Sequence, residues 1–115
     1  MKTASILNDL DYNENGNAPK ISLLMISHLG KEIRILFKKG QYMKEHFTPS
    51  PVLIEVYEGK VEFGSEQGVQ TLERGDMISL KGGVRHDLTA FEDSIVKLSL
   101  HKNDSYESIK DFVNH

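Results

Sequence analysis

From Ile21 to Leu100 the sequence breaks into short apolar stretches, each stopped within a few residues by a glycine or a polar turn. Ile21 to His28 ends at Gly30. Ile33 to Lys38 alternates Ile33, Ile35 and Phe37 with Arg34, Leu36 and Lys38. Val52 to Tyr57 ends at Gly59, Val61 to Phe63 at Gly64, and Val69 to Leu72 shortly before Gly75. Met77 to Leu80 runs into Gly82-Gly83, His86 to Thr89 precedes a polar turn, and Ile95 to Leu100 is the last long strand. Short stretches at this spacing predict an all-β barrel or sandwich and not alternating β and α units. With 115 residues the chain fits one domain, 1–115, large enough for a core without staples.

Short helices are expected at both ends. Over residues 3–10, Thr3 or Ser5 serves as a cap, and Ile6, Leu7 and Leu10 sit at helical spacing. The polar run from Asp11 to Pro19 then reads as a loop. Near the other end Asp104 and Glu107 resemble a capping box, with Tyr106, Ile109 and Val113 at helical spacing and Phe112 beside them.

Two stretches deliver one histidine each. The first runs from Gly40 through His46, crosses a bend at Thr48 to Pro51, enters the strand at Val52 and closes at Gly59. The second runs from Gly75 through a strand and Gly82-Gly83 to His86. The chain has no cysteine, which excludes a disulfide framework and thiolate chemistry. Its net charge of -3 and the lack of a basic stripe argue against nucleic acid as a partner. Ile21 to Ile26 is the longest apolar run, too short to span a bilayer, and no apolar segment follows Lys2 as in a signal peptide. The expectation is a cytoplasmic protein without a membrane partner.

Over Gly40 to Ala90 the sequence resembles a small single-domain cupin. The family's first motif holds a glycine, two histidines one residue apart, a glutamate and a closing glycine. Gly40, His46 and Gly59 match it; Thr48 stands at the second histidine and Val52 at the glutamate. In the second motif (75–90) Gly75, Gly83 and His86 match, while Lys81 replaces a proline and Ala90 an asparagine. The resemblance implies an RmlC-like jelly roll, the double-stranded β-helix, with both histidines pointing into one cavity. It also implies a homodimer, with N-terminal strands packed against the partner. Family members with the full motif bind Fe, Mn, Ni or Zn through three histidines and a glutamate, and their activities range from oxygenases to isomerases and ligand-sensing domains.

Carried over residue by residue, the positions that line the cavity are His46, Thr48, Val52 and His86. Only His46 and His86 carry over as metal ligands, and a firm site needs a third. Glu55 is the nearest carboxylate. If Val52 faces the cavity, strand parity turns Glu55 outward, unless Pro49 and Pro51 introduce a bulge. An ion pair with Arg34 is its simpler role. His28, His101 and His115 match no motif position and read as surface or structural residues.

Met25, Met43 and Met77 read as core packing. Gly59, Gly64, Gly68 and Gly75 read as turn glycines of positive φ. Asp87 points away from the His86 face, and Lys81 is solvated. Ile21 to Ile26, apolar on both faces with Leu23 and Met25 on one side and Leu24 and Ile26 on the other, is the candidate dimer edge. Three functions remain open: a barrel holding a small, partly apolar molecule, a divalent-metal enzyme of oxygenase or isomerase type, and a metal-free enzyme with His46 or His86 as general base.

Overall fold

The computed structural model describes residues 1–107 and residue 109. Nine strands account for most of it: β1 (Lys20–Ile26), β2 (Gly30–Phe37), β3 (Tyr42–His46), β4 (Val52–Glu58), β5 (Lys60–Ser65), β6 (Gly68–Glu73), β7 (Met77–Leu80), β8 (His86–Ala90) and β9 (Ser94–His101). They form two antiparallel sheets. One has five strands in the order β1-β2-β9-β4-β7, the other four in the order β3-β8-β5-β6. The chain passes repeatedly between the sheets, which is the double-stranded β-helix. Among the described residues no helix is long and apolar enough to cross a membrane.

Alternation along the strands builds the interior. Ile33, Ile35 and Phe37 of β2, Ile54 and Val56 of β4, Val61 and Phe63 of β5, and Leu98 of β9 are all buried in one cluster. Burying each such side chain stabilises the fold by roughly 1.5–3 kcal/mol. β4 keeps the predicted parity: Val52, Ile54 and Val56 are buried, and Leu53, Glu55 and Tyr57 are half-buried on the outer face.

The helix expected over residues 3–10 does not form. Residues 6–9 are a series of bends, and Leu7 and Leu10 are exposed. The reason is Arg34. Its guanidinium donates to the carbonyls of Ile6 (3.2 Å), Asn8 (2.6 Å) and Asp9 (3.0 Å). A helix would commit the Ile6 carbonyl to its own ladder, so the buried cation on the outer face of β2 wins. The ion pair expected between Arg34 and Glu55 is overturned with it. Glu55 pairs instead with Lys97 at 3.2 Å, and Lys97 also reaches Glu32 at 2.9 Å.

Other expectations shift locally. A bulge between Leu23 and Met25 puts Leu23 and Ile26 on one face of β1 and Met25 on the other, so the predicted pairing of Leu23 with Met25 fails. Met43 is core, but Met77 is 61% exposed at the sheet edge. Gly59, Gly68 and Gly75 have positive φ, whereas Gly64 does not. It lies inside β5, where a Cβ would crowd the Asp87 carboxylate.

At the C-terminus Tyr106, Glu107 and Ile109 are helical. The cap is one residue later than predicted: Ser105 Oγ accepts the Glu107 N–H (3.1 Å), while the Asp104 carboxylate accepts the Ser50 N–H (3.2 Å). Ile109 is buried in the core. Phe112, Val113 and His115 lie outside the described residues.

Candidate functional site

The site is built on the pairing of β3 with β8, in which His46 stands directly opposite His86. Residues 43 and 46 differ in parity, so an unbroken strand would turn one of them outward. A bulge between Met43 and His46 supplies the extra residue, and both side chains are buried. Exposed Lys44 and Glu45 occupy the bulge. β8 needs no such device: His86, Leu88 and Ala90 alternate inward.

The loop that leaves β3 and the loop that enters β8 are joined. The Gly83 N–H donates to the Thr48 carbonyl at 2.8 Å. Gly82 packs so closely on Pro49 that a Cβ would run into the Pro49 carbonyl, and Gly83 takes a φ of 82°. Glycine at both positions is what allows the backbone this approach. Ser50 in the same loop is tied to Asp104.

The two rings lie 4.3 Å apart between centroids, at an interplanar angle of 56°. His46 is 2% and His86 1% exposed. Each ring is held through Nδ1 by the carbonyl two residues before it: His46 by Lys44 at 2.7 Å and His86 by Val84 at 3.0 Å. A carbonyl only accepts, so Nδ1 carries the proton on both rings and Nε2 carries the lone pair in the neutral form. Burial pulls the His46 pKa down to about 4, partly offset by the Lys44 carbonyl and reinforced by His86. Burial also lowers that of His86, against the Val84 carbonyl and Asp87. Both rings are therefore neutral near pH 7. Nε2 of His86 is buried with no hydrogen-bond partner among the described residues.

Thr48 and Val52 are buried, and neither offers a ligand atom to the histidine pair. The Thr48 hydroxyl donates to the Ser50 carbonyl at 2.8 Å, and Val52 belongs to the hydrophobic core. Glu55 faces the opposite side of β4, held by Lys97. Among the described residues no cluster of three His, Cys, Asp or Glu side chains is arranged to hold a metal. Metal-binding histidines commonly donate one ring N–H to a carbonyl in this way, which fixes the tautomer and leaves the other nitrogen to the metal. The donor set nevertheless stops at two imidazoles, short of the three or four protein ligands of a firm transition-metal site.

Sequence reasoning missed two residues around His86. The Phe63 ring stacks on it at 5.5 Å and 20°, and Ser65 is its cross-strand partner. Both lie on β5, which pairs with β8 across two intervening strands in the sequence, so no local pattern announces them. His28 is exposed, and His101 accepts the Asn103 N–H at 3.1 Å; neither joins the site.

No protein-family model and no curated protein matches this chain. Solved structures do. An RmlC-like cupin protein from Desulfovibrio desulfuricans superposes with a TM-score of 0.78 at 23% identity, over 89% of this chain and 97% of that one. A conserved protein with a double-stranded β-helix domain from Klebsiella pneumoniae gives 0.76 at 19% identity, over 91% and 94%. KdgF from Halomonas sp. gives 0.71 at 19% identity, over 90% and 97%. At these identities the likeness shows the fold alone: the double-stranded β-helix barrel that these cupin structures share, as the resemblance over Gly40 to Ala90 implied.

Proposed function

We propose that this cupin-fold chain is a binding module that holds a small, partly apolar molecule inside its barrel. The observation that carries this reading is the state of His86. Among the described residues its Nε2 is a buried acceptor without a partner, on a ring fixed in one tautomer and stacked on Phe63. An unmet buried acceptor costs about 1–3 kcal/mol, which a bound molecule recovers. A second reading, a divalent-metal enzyme of oxygenase or isomerase type, draws support from the carbonyl-held Nδ1 of His46 and His86. It requires a further ligand beyond the side chains that meet at this pair.

Elemental analysis of untagged protein, before and after incubation with Fe, Mn, Ni and Zn, decides between the two. The binding reading predicts far less than one metal per chain, and an organic occupant retained in native mass spectrometry. Near-stoichiometric metal, lost in both His46→Ala and His86→Ala, would establish the enzyme reading instead. We also propose a homodimer, on the strength of the exposed apolar residues along and beside β1: Leu23, Ile26 and Leu29. Light scattering on a size-exclusion column tests it, and a monomer at micromolar concentration removes it.

A further inference from the structure

A cleft of about 430 Å³ opens between β6 and β7, the outer strands of the two sheets. That volume suits a small ligand. Apolar Phe63, Leu72 and Leu80 share its lining with Ser65, Gln67 and Gln70, and no charged side chain among the described residues contributes. In a chain with 27% charged residues this neutrality is notable. Phe63 and Ser65 are also neighbours of His86 on its β5 side: one stacks on the ring, the other faces it across the ladder. The cleft therefore reaches the wall behind which the buried, unpartnered Nε2 lies.

The chemistry of that end is one-sided. With Nδ1–H committed to the Val84 carbonyl, the ring offers only a lone pair. A carboxylate or phosphate brings more lone pairs and a charge, and no cation lines the cleft to balance it. A neutral hydroxyl brings the missing proton. Resting on the binding reading given under Proposed function, we propose that this cleft admits an uncharged, hydroxyl-bearing molecule whose O–H donates to Nε2 of His86, with its apolar part against Phe63.

Three probes of one ring size test the assignment: phenol, which donates; anisole, whose methyl replaces the donated proton; and benzoate, which is anionic. Each is titrated into protein carrying ¹⁵N-labelled histidine and backbone. The expected result is that phenol moves the His86 Nε2 resonance upfield and shifts the Ser65, Gln67 and Gln70 amides. Its affinity should exceed that of anisole and benzoate roughly tenfold, the scale of one unmet buried hydrogen bond. Ser65→Leu, which narrows the cleft at the wall it shares with His86, should abolish the phenol response. If anisole or benzoate shifts the same amides at equal or lower concentration with Nε2 unmoved, the hydroxyl-donor class is wrong while the binding reading stands. An undiminished phenol response in Ser65→Leu overturns the cleft as the route. If no probe moves the cleft amides or Nε2, the proposal is overturned, while the binding reading is decided separately by the occupant sought in native mass spectrometry.

Discussion

His46 and His86 face each other directly across the β3–β8 ladder, their rings 4.3 Å apart, each tied through Nδ1 to the carbonyl two residues earlier. The pair is neutral because it is buried, and that gives the fold a pH dependence of definite sign.

The folded-state pKa of His46 is lowered to about 4 from an ordinary 6.5. Between those values the unfolded chain takes up a proton that the folded chain refuses. Above about 6.5 this group leaves stability unchanged. Stability then falls as pH drops toward 4, by roughly 3 kcal/mol in total. His86 acts in the same direction. Urea midpoints measured from neutral pH downward should stay level and then decline through this window, and His46→Gln should flatten the decline. A midpoint that stays level throughout would mean that the rings are not buried as neutral groups.

Gly82→Ala should destabilise the fold more than Gly83→Ala. The first places a Cβ against the Pro49 carbonyl, a backbone atom that cannot turn aside; the second meets open space and suffers only its positive φ. Costs of about 1–3 kcal/mol for the clash and about 1 kcal/mol for the dihedral are expected. Chemical denaturation of both variants gives the order, and the reverse order would contradict the close approach of the two loops.

Arg34→Met should release the N-terminal segment while the barrel persists. Three backbone carbonyls lose their donor. Hydrogen exchange should rise over residues 5–11 and stay low in β2 and β9. Arg34→Lys should rescue little, because an ammonium cannot reproduce the planar fork that serves three acceptors. Unchanged exchange in Arg34→Met would show that the segment is held by something else.

Lys97→Met leaves Glu32 and Glu55 sharing a half-buried surface without the cation between them. Burial opposes the charge on Lys97, but the two carboxylates overcome it and raise its pKa. Its contribution is therefore complete below the ordinary lysine value and fades as pH rises through the raised one. A loss of about 1–2 kcal/mol at neutral pH is expected, diminishing as pH rises through the raised lysine value. Thermal melts across pH check it; an equal loss at all pH values would point to packing rather than charge.

The strands and the two histidines were legible because glycine spacing and period-two alternation are local signals. Val52, Ile54 and Val56 fall inward as alternation alone predicts. What escaped was non-local. The first-turn pattern of Ile6, Leu7 and Leu10 is outbid by a guanidinium from β2, distant in sequence. The bulges at Leu23/Met25 and Met43/His46 carry no compositional mark, since Lys44 and Glu45 are ordinary exposed charges. Phe63 and Ser65 acquire their place beside His86 only from the β5–β8 register.

The matched tautomers of the two rings also govern proton traffic. A relay through adjacent imidazoles needs one ring to give a proton where the other receives it. Here both N–H groups are anchored to backbone carbonyls, and both rings present the same polarity to the interior. Neither can pass a proton to its neighbour without first breaking its anchor. With His46 protonating only near pH 4, that ring is also a feeble base at neutrality. Proton transfer between the two rings is thus gated by the Lys44 and Val84 carbonyls and not by the distance between the rings.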